Sequence, residues 1–90
     1  MARFSVENLS DKAVELAIEP WADLEIIEPK GVVKFEYDEP AHVDFAVTKD
    51  GELAVALWSE NVKVSANGKE KHFQLPEGVH YEDLYGPEDT

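Results

Sequence analysis

The sequence predicts an all-β domain: a single antiparallel β-sandwich or small barrel of six to eight short strands. Three observations lead there. Apolar residues recur at every second position in one run after another. No amphipathic helical pattern reaches ten residues. Turn-forming residues separate the runs.

The runs follow in order along the chain. "RFSVEN" puts Phe4 and Val6 on one face. "AVELAIE" turns Val14, Leu16 and Ile18 inward, with Glu15 and Glu19 outward. "DLEII" is expected to turn Leu24 and Ile26 inward. "EPKG" reads as a turn, with Pro29 in its second place and Gly31 in its fourth. "VVKFEY" aligns Val33, Phe35 and Tyr37, and "DEP" at 38–40 ends it. "AHVDFAV" carries Val43, Phe45 and Val47. "ELAVALW" carries Leu53, Val55 and Leu57. "VKVSA" carries Val62 and Val64, and "KEKHFQL" closes the set.

Two hairpins have readable turns. Asn67-Gly68 is a strong two-residue signal, because both residues tolerate positive φ. At "TKDGE" the hydrophobic pattern decides between two registers. A two-residue Asp50-Gly51 loop sets Val47 opposite Ala54 and mixes the faces. A three-residue loop, Lys49-Asp50-Gly51 with Gly51 left-handed, sets Val47 against Leu53, Phe45 against Val55 and Val43 against Leu57. A one-residue slip turns every side chain over, so the bulged turn is expected. It leaves Ala46, Ala54, Ala56 and Trp58 on the opposite face. That face is either covered by another segment or open as an apolar contact patch for a partner or a second copy. The segment proposed to cover it is the tail, "VHYEDLYGPEDT". Residues 1–75 are read as the β-sandwich domain and 76–90 as an acidic C-terminal tail, partly packed on it, with "GPEDT" frayed.

Ninety residues bound the chain to one domain with a modest core. There is no Cys, hence no disulfide, thiolate nucleophile or zinc-thiolate site. No apolar run approaches the roughly 20 residues of a membrane span. The opening "MARFSVENLS" lacks a signal-peptide apolar core. The cytoplasm is the expected compartment.

Enzyme chemistry finds no footing. The residues His42, His72 and His80 and four serines form no recognisable nucleophile motif, and no phosphate-binding glycine loop is present. A blue-copper site needs a Cys thiolate. "YDEPAHVD" gathers Asp38, Glu39, His42 and Asp44, which a hard cation could use, but the spacing is not an EF-hand, and a solvated edge is the simpler reading. Trp21 and Trp58 could stack on sugars; packing is the simpler role. No catalytic residue, metal or cofactor is expected.

Charge is the remaining clue. Twenty acids against eight bases leave a formal charge of -12. Such a chain is repelled by nucleic acid and anionic membranes and attracted to basic surfaces. Residues 13–28 carry five acids and no Lys or Arg, and 72–90 do the same, whereas Lys63, Lys69 and Lys71 gather in one hairpin. Edge lysines also guard against strand pairing. If Pro20–Ala22 forms the loop between two strands, Glu19 lies opposite Asp23 with Glu25 diagonal to both. Like charges placed so cost from a few tenths to about 1 kcal/mol. Glu36, Asp38, Glu39 and Asp44 extend the acids. Same-face residues lie about 6.6–6.8 Å apart along a strand, and strands about 4.8 Å apart, so a carboxylate lattice would match a phosphate row in sign and roughly in spacing.

In size, single-domain build, charge and lack of catalytic residues, the chain resembles phage and mobile-element inhibitors that act as DNA mimics, anti-CRISPR proteins among them. Separately, "VENLSDKAVELAIEPW" is similar to openings of small bacterial β proteins with a Glu-Pro-Trp turn, a likeness that implies no function. The first resemblance implies a non-enzymatic inhibitor that occupies a basic nucleic-acid-binding surface of a partner protein or complex, without contacting nucleic acid or membrane. Its contact residues would be Glu15, Glu19, Asp23, Glu25, Glu36, Asp38, Glu39 and Asp44. The alternative is an interaction module that uses Trp58 and the alanine face.

Overall fold

The computed structural model describes residues 1–75. The expected acidic tail at 76–90, its packing on the alanine face and its frayed end lie outside the described residues. Eight strands form two four-stranded sheets: β1 (Ala2–Glu7), β2 (Val14–Glu19), β3 (Asp23–Ile27), β4 (Val32–Tyr37), β5 (His42–Val47), β6 (Leu53–Trp58), β7 (Asn61–Ala66) and β8 (Lys69–Gln74). The first sheet has the order β1-β4-β7-β8 and the second β3-β2-β6-β5. Every pairing is antiparallel except β2 with β6. The all-β sandwich read from the alternation is the observed fold. No helix of the described residues is long and apolar enough to cross a membrane.

The core lies between the sheets. It contains Leu16, Ile18, Ile27, Val33, Phe35, Val55, Leu57, Val62, Val64 and Ala66. Nearly all come from the alternating positions expected to face inward, because a strand can bury only one parity of its residues against a facing sheet. Each fully buried aliphatic or aromatic side chain contributes about 1.5–3 kcal/mol of transfer free energy.

The turns follow their residues. Thr48 and Glu52 close the bulged loop, with Gly51 at φ 82°. The register sets Val47 against Leu53, Phe45 against Val55 and Val43 against Leu57, as the hydrophobic pattern requires. Asn67 and Gly68 both have positive φ, and Ala66 pairs with Lys69. Gly31 N–H donates to Glu28 O at 2.8 Å, closing the Glu-Pro-Lys-Gly turn. Its third residue, Lys30, takes φ 67°, a place usually held by Gly.

The β2–β3 hairpin departs from expectation. Ile18, not Glu19, stands opposite Asp23, and Leu16 stands opposite Glu25. The loop is one residue longer than Pro20–Ala22, with Ala22 at φ 55°. That slip turns β3 over. Leu24 and Ile26, expected inside, face solvent, and Leu24 is 59% exposed. Asp23 and Glu25 face the first sheet, and Glu25 is only 8% exposed. The expected Glu19–Asp23 like-charge pair does not form.

The reason lies across the sandwich. The β7–β8 register puts Lys71 on the parity of Phe73, facing inward. Its Nζ lies 2.7 Å from Glu25 Oε1 and 3.1 Å from Asp23 Oδ1. Trp21 stacks on Phe73, with ring centroids 4.9 Å apart, and its indole N–H donates to Gln74 O at 3.2 Å. Asn67 Nδ2 donates to Ile26 O at 3.2 Å. The β3 and β8 edges are thus joined by ion pair, stack and hydrogen bonds. At the other side of the sandwich, Phe4 meets Phe45 edge to face, with ring centroids 5.4 Å apart. Phe45 is 57% exposed and Val47 72%, although both have the inward parity.

Buried Asn8 ties the remaining loop. Its Nδ2 donates to Lys12 O at 2.7 Å and Ile27 O at 2.8 Å, and its Oδ1 accepts from Ser10 N–H at 2.9 Å.

Lys71→Met should lower stability by about 0.5–1 kcal/mol. This is less than the 3–5 kcal/mol of a fully buried pair, because the Lys71 side chain is partly exposed and screened. Met keeps the aliphatic stem, so the loss reports charge. The neighbouring carboxylates raise the Lys71 pKa above its ordinary value. Its contribution is therefore full below that ordinary value and disappears as pH rises through the higher folded-state value. Urea titrations from neutral to strongly alkaline pH should show an alkaline loss in the native chain that Lys71→Met lacks.

Candidate functional site

With β3 turned over, the acids fall into separate places. Asp23 and Glu25 belong to the cross-sheet bridge. Glu36 lies on the outer face of the first sheet, 3.5 Å from Lys63. Asp38 follows β4 and lies beside Asn61, whose Nδ2 donates to its Oδ2 at 3.0 Å. Glu39 is exposed in the β4–β5 connection. Glu15, Glu19 and Asp44 share the outer face of the second sheet.

That outer face can be read row by row. Ala46, Ala54, Ala17 and Leu24 are successive cross-strand neighbours and form an apolar band across all four strands. The next row runs Asp44, Ala56, Glu19. Glu15 stands on the other side of the band, next to Ile26. Glu52, just before β6, lies beside Glu15 because β2 and β6 are parallel, with Leu16 level with Leu53. Acids therefore frame an apolar band. Glu15 and Glu19 are four residues apart along β2, about 13 Å, and Asp44 and Glu19 are two strands apart, about 10 Å. This is sparser than the lattice expected from the sequence, because three of its eight acids, Asp23, Glu25 and Glu36, are engaged by lysines.

The outer face of the first sheet is of another kind. Arg3, Lys34 and Lys63 alternate there with Glu7, Glu36 and Glu70, and Lys63 lies within 4 Å of both Glu36 and Glu70. The outer strand positions of the second sheet include no Lys or Arg.

Glu52 was not among the residues expected from the sequence. The Glu15 carboxylate is the largest cause raising its pKa, followed by burial, their shared hydrogen bond and Asp50. Sequence spacing offers no signal for this pair, since 37 positions separate the two residues and only the parallel β2–β6 pairing joins them. His42 Nε2 lies 2.9 Å from Asp44 Oδ2, as their shared strand face implied. Among the described residues, no group of three or more His, Asp or Glu side chains is arranged to hold a metal ion.

Trp58 is on the alanine face but only 5% exposed. Its ring is buried rather than offered to a partner. Trp21 has one ring face occupied by Phe73.

Trp58→Ala should therefore cost about 3–5 kcal/mol, as other buried aromatic truncations do, read from urea or thermal unfolding. Glu52→Gln should raise the melting temperature at pH 7, since it removes a like charge beside Glu15. A carboxyl whose folded-state pKa is raised opposes folding when ionised, and the penalty fades as pH falls through that pKa. The gain from Glu52→Gln should accordingly vanish in melting curves below the ordinary carboxylate range.

No family model, curated protein or solved structure matches this chain.

Proposed function

We propose that the chain is a non-enzymatic binding module whose second sheet docks, through its outer face, on the basic nucleic-acid-binding surface of a partner protein. The observation that carries this reading is the difference between the two outer faces. One is charge-balanced. The other sets Glu15, Glu19, Asp44 and Glu52 around an apolar band and has no Lys or Arg on its strands. An apolar centre with a charged rim is the usual anatomy of a protein interface. Rim carboxylates would speed encounter with a basic partner and exclude acidic ones. The contact is thus an acid-framed strip rather than a phosphate-like lattice. It unites the expected acidic inhibitor with the expected apolar interaction module, except that Trp58 is buried and does not itself form the contact.

The test is retention of basic proteins from a nuclease-treated lysate, with duplex DNA as competitor. The native chain should retain a basic nucleic-acid-binding protein that DNA displaces. Retention should fall as salt shortens the screening length from about 10 Å at 0.1 M to about 3 Å at 1 M. Glu15→Lys with Glu19→Lys should abolish it. Glu7→Lys with Glu28→Lys makes the same charge change away from that face and should have little effect. Equal loss in both double variants, or no displacement by DNA, would overturn the reading.

A further inference from the structure

Among the described residues, β5 is the least guarded edge strand. The β3 and β8 edges carry inward-pointing charges, Asp23 and Glu25 on one and Lys69 and Lys71 on the other. Such charges are a recognised barrier to edge-to-edge pairing. On β1, Arg3 and Glu7 play a similar part. In contrast, β5 (His42–Val47) has one acidic side chain, Asp44, and two largely exposed apolar ones, Phe45 and Val47.

The phase of the ladder shows which backbone groups this edge offers. Thr48 N–H donates to Glu52 O at 2.7 Å, so 48 and 52 are a hydrogen-bonded pair. Antiparallel ladders alternate such pairs with non-hydrogen-bonded ones. Ala46 and Ala54, then Asp44 and Ala56, are therefore hydrogen-bonded pairs as well. The N–H and C=O groups of Val43, Phe45 and Val47 point the other way, off the edge, and no described strand pairs with them.

We infer that β5 is a self-association edge: two copies pair β5 with β5 antiparallel about a twofold axis at Phe45, joining their second sheets into one eight-stranded sheet. In this register Phe45 meets Phe45 of the second copy, and Val43 meets Val47. Asp44 meets Ala46, so no like charges stand opposite each other. All three outward-pointing residues pair with outward-pointing residues. A twofold axis at Asp44 would instead set two carboxylates face to face. Phe45 is braced from below by Phe4, which stacks on Phe35 at 4.6 Å, so the edge presents a supported ring. The inference does not depend on the basic partner proposed above. Its salt response is also opposite in sign, because two chains of formal charge -12 repel and salt relieves the repulsion.

Sedimentation over a concentration series tests the edge. A monomer–dimer equilibrium that strengthens from 0.1 to 1 M salt is expected. Val47→Lys and Val47→Pro should each weaken dimerisation at least about tenfold, or about 1.4 kcal/mol. Val47 N–H points off the edge, so Pro there spares the β5–β6 ladder, and both variants should melt like the native chain. The chain has no Cys, so a single introduced thiol is a clean reporter of register. Under mild oxidation Phe45→Cys should form a disulfide-linked dimer. Ala46→Cys should not, because its two copies lie beyond the roughly 7 Å limit for bridging. A monomer at every concentration and salt, undiminished association in the Val47 variants, or cross-linking at 46 instead of 45 would overturn the inference. So would binding of an extended peptide by a chain that never pairs with itself.

Discussion

The Lys71 contact with Glu25 and Asp23 is the interaction on which the arrangement of the other parts depends. Lys71 is at an inward position because β8 alternates from Phe73, and Phe73 must face the core. The partly exposed Lys71 ammonium in turn pairs the nearly buried Glu25 carboxylate, which without a partner would be costly. Only β3 is opposite, and only the parity of Asp23, Glu25 and Ile27 supplies both the carboxylates and a core residue. The hairpin accommodates this with one more loop residue and a left-handed Ala22. The acids that look like a patch for a partner are, at these two positions, half of an internal bridge.

That choice shapes both surfaces of the second sheet. Turning Asp23 and Glu25 inward forces Leu24 and Ile26 outward, where they extend the alanine band to the β3 edge. A face with small apolar residues at its centre and carboxylates around it is a consequence of the bridge, not an independent feature. The bridge also makes the sandwich asymmetric. Ion pair, aromatic stack and side-chain hydrogen bonds hold β3 to β8. Among the described residues, the β1–β5 side has the Phe4–Phe45 contact as its counterpart, and β5 keeps Phe45 and Val47 largely exposed. A closed edge that resists pairing and an open edge that invites it arise from one distribution of charge.

The remaining acids are unevenly relieved. Lys63 serves Glu36 and Glu70 on one outer face. On the other, Glu15 and Glu52 sit side by side with the proton affinity of Glu52 raised. Folding does not benefit from that pair, and the parallel β2–β6 pairing brings it about. Repulsion that survives in a small domain is a reason to look for a basic partner at that face.

Most of the fold was legible in the sequence by itself. Alternation located all eight strands. Asn67-Gly68 and Gly51 announced two hairpins, and the Val47–Leu53 register followed from hydrophobic matching alone, because a strand reports its buried parity directly when its two faces differ in polarity. "DLEII" does not report it. Both parities carry apolar residues and both neighbours are short loops, so local pattern favours Leu24 and Ile26 inside. What decides is a lysine 46 positions beyond Glu25, in the other sheet. The site divides in the same way. Ala46, Ala54, Ala56, Glu15, Glu19 and Asp44 were assigned to outer faces from strand parity, a one-dimensional property. That Glu15 meets Glu52, that Glu25 is lost to the core and that Trp58 is buried depend on which strands become neighbours. Charge pairing and burial act through space, and only the tertiary structure brings those partners together.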